Sequence, residues 1–143
     1  MKVQLLLLIF LAFISCENKK STDSEIIVMN QSLDISTILQ NLESGMIQYM
    51  AIEKVAYTAS DVDKCMTFIK DYLIEMSNTK TKQEGIKVIN KLVLNLNDLN
   101  THCEHQLIET DQREQICAII TLSGYDKGFN SKNEDLTENL RDW

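Results

Sequence analysis

The sequence predicts an all-α protein, a four-helix bundle closed by a short C-terminal helix. Three observations predict it. The chain has no proline and only four glycines, so little interrupts a helix and little supplies the turns of a β-sandwich. Apolar residues recur at spacings of three and four through most of the sequence. Alternation of apolar and polar residues is scarce, and a strand competes mainly at Leu92–Leu94 and Ile116–Leu122.

The first helix is expected from about Ser32 or Asp34 to Ala59, because Ile35, Ile38, Leu39, Leu42, Met46 and Met50 share one helical face. Gly45 interrupts that face at a cost of about 1 kcal/mol relative to alanine, which predicts a bend or a close helix contact. The second helix is expected to start at Ser60, with Asp63 completing a capping-box-like arrangement, and to bury Val62, Cys65, Met66, Ile69, Leu73 and Met76. Ser77 to Gln83 is polar and reads as a loop.

The third helix follows from Gln83 to His105 with Ile89, Leu92, Val93, Leu96, Leu99 and Cys103 inward; Val88 and Leu94 widen the stripe, which predicts a central position. Asp111 and Glu114 mark the start of a fourth helix carrying Ile116, Ile119, Ile120 and Leu122, with Gly124 as its stop. Asp135 and Glu138 open the short terminal helix, whose Leu136, Leu140 and Trp143 are spaced to dock on the bundle.

The N-terminus carries an address. Lys2 precedes an apolar run from Leu5 to Ile14, and polarity returns at Glu17, Asn18, Lys19 and Lys20. Ten residues of helix span roughly 15 Å, whereas a bilayer core needs about 20 apolar residues. The run therefore has the length of a signal-peptide core. The stretch Phe13-Ile14-Ser15-Cys16 resembles the lipobox of bacterial lipoproteins, with Phe13 where that family usually has leucine. The resemblance implies cleavage between Ser15 and Cys16, and thioether diacylation and N-acylation of Cys16. It divides the chain into a signal peptide (1–15), a lipidated cysteine and tether (16–31) and a helical domain (32–143). Twelve lysines against two arginines, with the polar start after Cys16, are similar to lipoproteins of the Bacteroidota. The expected location is the bacterial cell envelope, anchored by lipid to the inner or outer membrane.

Removal of residues 1–15 leaves 13 basic and 21 acidic residues, a formal charge of −8. Such a balance disfavours nucleic acid, whose phosphates require clusters of lysine and arginine. It also disfavours electrostatic adhesion to anionic lipid. It suits a basic protein partner, or serves solubility alone.

After lipidation of Cys16, three cysteines remain: Cys65, Cys103 and Cys117. In an up-and-down bundle all three fall in one band roughly 6 Å deep. A disulfide between Cys103 and Cys117, closing a loop of about 15 residues and contributing about 3 kcal/mol, is favoured over three buried thiols. A metal site is the third reading. His102 and His105, three apart and flanking Cys103 and Glu104, are close enough on a helix to share an ion. The bland alternative is that they sit against the negative end of the helix dipole. Neither the metalloprotease spacing nor an EF-hand acid pattern around Asp126-Lys127-Gly128-Phe129-Asn130 is present.

Catalytic motifs are missing from the sequence: there is no nucleophile elbow and no phosphate-cradling glycine loop. It calls for no cofactor. The expectation is a tethered protein-binding or inhibitor module, similar in size, charge and address to immunity proteins that neutralise secreted effectors. A structural lipoprotein of an envelope assembly, anchored through Tyr49, Tyr57 or Phe129, is the first alternative. Metal handling at His102 and His105 is the second.

Overall fold

The computed structural model describes the backbone of residues 20–143, and side chains from Asp34 onward. The signal peptide and Cys16 lie outside the described residues. Four helices make up the fold: α1 (Lys20–Ile52), α2 (Ala59–Asn78), α3 (Lys82–His102) and α4 (Thr110–Asp126). The expected all-α bundle is the one observed, and the described residues contain no strand.

The boundaries moved for local reasons. Helix α1 already runs from Lys20, the first described residue, inside the stretch read as a tether, which contains neither glycine nor proline. It ends at Ile52, short of Ala59, and the chain turns back so that the Tyr57 hydroxyl donates to the Met46 carbonyl at 3.0 Å. The cap of α2 is Thr58, two residues before Ser60: its amide and hydroxyl donate to the Asp61 carboxylate at 3.0 and 2.7 Å. Helix α3 opens with a capping box in which Thr81 Oγ1 accepts from the Glu84 amide at 3.2 Å and Glu84 Oε2 accepts from the Thr81 amide at 3.1 Å.

The core is continuous across all four helices and includes Leu42, Met46, Val62, Ile69, Ile89, Leu96, Ile116 and Ile120. Helix α1 packs mainly on α4 and α2 mainly on α3, while α2 touches all three others. The central helix is thus α2, not α3. Leu94, expected to widen the α3 stripe, is 50% exposed. The second neighbour of α3 is the C-terminal segment. Phe129 packs so closely on Gly85 that a Cβ there would lie 2.6 Å from its ring, and Asn97 Nδ2 donates to the Leu140 carbonyl at 3.0 Å.

Gly124 does not stop α4, which runs on to Asp126. A Cβ at Gly124 would stand 2.2 Å from Asn130 Oδ1, so its smallness admits the returning chain. The stop is Gly128, whose φ of +71° is the left-handed conformation that closes a helix C-terminus. The expected short C-terminal helix contracts to one turn, with the amides of Leu140 and Arg141 donating to the Thr137 carbonyl at 2.9 and 3.0 Å. Leu136, Leu140 and Trp143 nevertheless pack against the core as expected. No neighbour approaches the Cβ position of Gly45, so the close contact predicted there is not formed.

Candidate functional site

The expected Cys103–Cys117 disulfide is not formed; Cys65, Cys103 and Cys117 are free. Cys103 ends α3 and is buried, as is Cys65 on α2, because α2 and α3 are the helices that pair. Burial pushes the Cys65 thiol up to about 12, with Cys103 adding to it, and burial pushes Cys103 up to about 11. Both are small apolar groups in the core. Cys117 faces the tail instead. Its Sγ lies 3.5 Å from Thr137 Oγ1 and 4.0 Å from an Arg141 guanidinium nitrogen.

The histidine pair does not assemble as an ion site. Helix α3 ends at His102, so the helical spacing that brought His105 near it is lost. Glu104 and His105 take left-handed φ values of 52° and 61°. Among the described residues, no group of three or more histidine, cysteine, aspartate or glutamate side chains is placed to hold a metal. The turn is organised by Asn100, which is 1% exposed. Its Oδ1 accepts from the amides of Leu107 and Ile108 at 3.2 and 2.9 Å, and its carbonyl accepts from the His105 amide at 2.8 Å.

The charge of the domain is unevenly distributed. Residues 34–97 hold eight acidic and seven basic residues, a net −1, whereas residues 98–143 hold ten and four, a net −6. The acidic part comprises the α3–α4 turn, α4 and the tail. Within it lies a groove of about 440 Å³ between α4 and residues 132–135. Its floor is Cys117, Ala118, Thr121 and Leu122, and its rim carries Glu114, Glu134 and Asp135. The rim also includes Lys132, whose ammonium sits 4.9 Å from the centre of the Tyr125 ring.

Helical geometry explains the groove. Ile116, Ile119, Ile120 and Ser123 occupy the buried face of α4. Glu114, Cys117, Ala118, Thr121, Leu122 and Tyr125 recur on the opposite side at spacings of three and four. Leu122 was expected in the core, but it stands on this second stripe and is half-buried. The stripe was legible in the sequence as a second three–four repeat.

The tail that borders the groove is held by its own polar network. Thr137, fully buried, donates through its amide and hydroxyl to Asp135 Oδ1 at 2.8 and 2.6 Å. Arg141 pairs with Asp135 and donates to Thr137 Oγ1 at 2.8 Å. Burial alone would raise the Asp135 pKa; the hydrogen bonds from Thr137 and Arg141 outweigh it and hold the carboxyl below its ordinary range.

Of the three aromatic anchors considered from sequence, Tyr57 is buried and Phe129 is packed on Gly85; only Tyr49 is open, at 38% exposure. Compared with protein-family models, with curated proteins and with solved structures, the chain matches none.

Proposed function

We propose that the protein is a lipid-tethered binding module of the bacterial cell envelope, which takes a basic partner protein on the acidic groove of α4. The observation that carries the reading is the coincidence of the −6 segment with a half-buried apolar stripe that, among the described residues, no helix covers. An apolar floor supplies desolvation and an acidic rim supplies orientation, the usual division of labour at a protein interface. An amphipathic segment with lysines or arginines flanking its apolar side has the matching chemistry. The tether rests on Lys2, the run Leu5–Ile14 and Cys16; among the described residues no helix is long and apolar enough to cross a membrane. Inhibition of the partner is the form of binding that size, charge and address suggest.

The experiment is native mass spectrometry of the protein purified from its own envelope, alongside a Glu114→Lys/Leu122→Lys variant. The reading expects a basic partner that co-purifies at low salt, dissociates as salt screens charges beyond about 10 Å, and is missing from the variant. A partner equally retained by the variant would displace the site. A bare monomer under gentle conditions would remove the reading.

A further inference from the structure

Helices α3 and α4 hardly touch among the described residues, and the chain after α4 lies across the seam between them. Its root is pinned. The Phe129 ring sits on Gly85, and Asn130 sits on Gly124 and donates through Nδ2 to the Thr121 carbonyl at 3.1 Å. Residues 131–143 form a strap of a different kind. Thr137 alone among them is buried; Leu136, Leu140 and Trp143 are half-buried against the core. Most of the strap's hydrogen bonds are internal: Ser131 with Glu134, Thr137 with Asp135, and Arg141 with Asp135 and Thr137. Those that leave it are fewer. Asn97 of α3 donates to the Leu140 carbonyl at 3.0 Å and accepts from the Asp142 amide at 3.4 Å. Lys82 pairs with Glu134 at 3.7 Å on the surface, a contact of small worth. Thr137 Oγ1 rests 3.5 Å from Cys117 Sγ of α4. Segments with few buried apolar contacts open locally, at free energies below that of global unfolding. Charge weakens this seat further. The strap bears Glu134, Asp135, Glu138 and Asp142 against Lys132 and Arg141, a net −2. Helix α4 bears Asp111, Glu114 and Asp126 against Arg113, also −2.

We propose that the strap is the movable wall of the α4 groove, and that a basic amphipathic segment of the partner binds by displacing it and lying in the α3–α4 seam. The strap is itself the template for that occupant. Its Leu136, Leu140 and Trp143 stand at i, i+4 and i+7, and residues 132–135 already form one side of the groove. A segment with the same apolar spacing, and lysines where the strap has acids, keeps the apolar contacts and removes the like-charge repulsion against α4. It gives up the surface pair with Lys82. This mode of binding presupposes the α4 groove as the site, and adds how the site opens.

Two measurements on the full chain in detergent micelles test it. In native-state hydrogen exchange of the wild type, the amides of Thr137, Leu140, Arg141 and Asp142 are expected to open together, with protection at least about tenfold below that of α2 core amides such as Ile69. Equal protection overturns the proposal. The second measurement follows the emission of Trp143, the one tryptophan of the chain, as a fluorescein-labelled synthetic copy of residues 131–143 is added. The copy carries Trp143→Phe, Glu134→Lys, Asp135→Lys, Glu138→Lys and Asp142→Lys; the comparison copy carries Trp143→Phe alone. Anisotropy reads binding, and a red shift of Trp143 reads release of the strap. Both are expected, at a concentration at least about fivefold lower for the lysine copy than for the acidic one. Asn97→Ala, which cuts both bonds from α3 to the strap, is expected to tighten binding at least about threefold, because the open state is then more populated. No saturable binding, equal binding of the acidic copy, or an Asn97→Ala chain that binds no tighter than the wild type overturns the proposal. Binding that leaves Trp143 unmoved, and is lost in the Glu114→Lys/Leu122→Lys variant, overturns the displacement and leaves the α4 groove standing. Release of Trp143 undiminished in that variant supports the displacement and overturns the α4 groove.

Discussion

The side-chain carbonyl of Asn100 accepts a hydrogen bond from the Ile108 amide at 2.9 Å, and so ties the last turn of α3 to the strand of chain that leads into α4. A second bond, from the Leu107 amide at 3.2 Å, goes to the same oxygen. Both donors are buried, and Leu107 and Ile108 are core residues. Asn100→Ala strips two buried amides of their acceptor and is expected to cost about 3 kcal/mol. Urea denaturation measures it. A loss below about 0.5 kcal/mol would mean that water or a shifted backbone replaces the oxygen.

Tyr72 and Ser123 make the one buried hydroxyl pair between α2 and α4 among the described residues, at 2.7 Å. Ser123 has a single proton and gives it to the Ile120 carbonyl at 3.1 Å, so the Tyr72 hydroxyl is the donor to Ser123. The costs are therefore unequal. Tyr72→Phe leaves Ser123 satisfied and is expected to cost about 1 kcal/mol, whereas Ser123→Ala orphans a buried phenol and costs about 2 kcal/mol. The double variant should be no less stable than Ser123→Ala alone. A double-mutant cycle in urea decides, and strict additivity of the two losses would refute the pairing.

The three cysteines are predicted to differ in reactivity. Cys65 and Cys103 are inaccessible and their thiols are held protonated by burial. Cys117 is partly open on the floor of the α4 groove. In a chain with Cys16→Ser, an alkylating reagent should modify one thiol in the folded state and three after unfolding. Peptide mapping should place the fast site at Cys117. Fast native labelling of Cys103 would contradict the packing of α3 on α2.

Asp61 predicts a response to acid. The Thr58 hydroxyl, with smaller help from its amide and from Lys64, holds the Asp61 carboxyl below its ordinary pKa despite some burial. A folded-state pKa lower than the unfolded value of about 3.9 stabilises the protein above that value. The stabilisation fades as pH falls through the folded pKa. Thr58→Val removes the hydroxyl donor, so the Asp61 titration followed by carboxyl NMR should move upward and acid unfolding should begin at higher pH. An Asp61 titration unchanged by Thr58→Val would rule out the cap as its cause.

Much of this fold was readable residue by residue. The stripe Val62, Cys65, Met66, Ile69 and Met76 placed α2 and oriented it, because burial of a helix face depends on spacing along the chain alone. Capping was readable too: Thr58 with Asp61 and Thr81 with Glu84 are both three apart. Spacing alone does not choose between Thr58 and Ser60 as the cap of α2, since several nearby residues can serve and packing chooses among them. The acidity of residues 98–143 and the outer stripe of α4 were likewise present in the sequence.

Partner choice between elements was not. Whether Cys103 meets Cys117 depends on which helices pair, and the packing of α3 on α2 and of α4 on α1 sends the two thiols to different neighbours. His105 left the helical register because Asn100 closed α3 around its own amide oxygen, a contact between residues seven and eight apart that periodicity does not encode. Gly124 reads as a helix stop in sequence and serves as clearance for Asn130 in space. Spacing along the chain decides which side of a helix is apolar; the match of whole surfaces decides what that side meets, and contacts between residues distant in sequence follow only from the second.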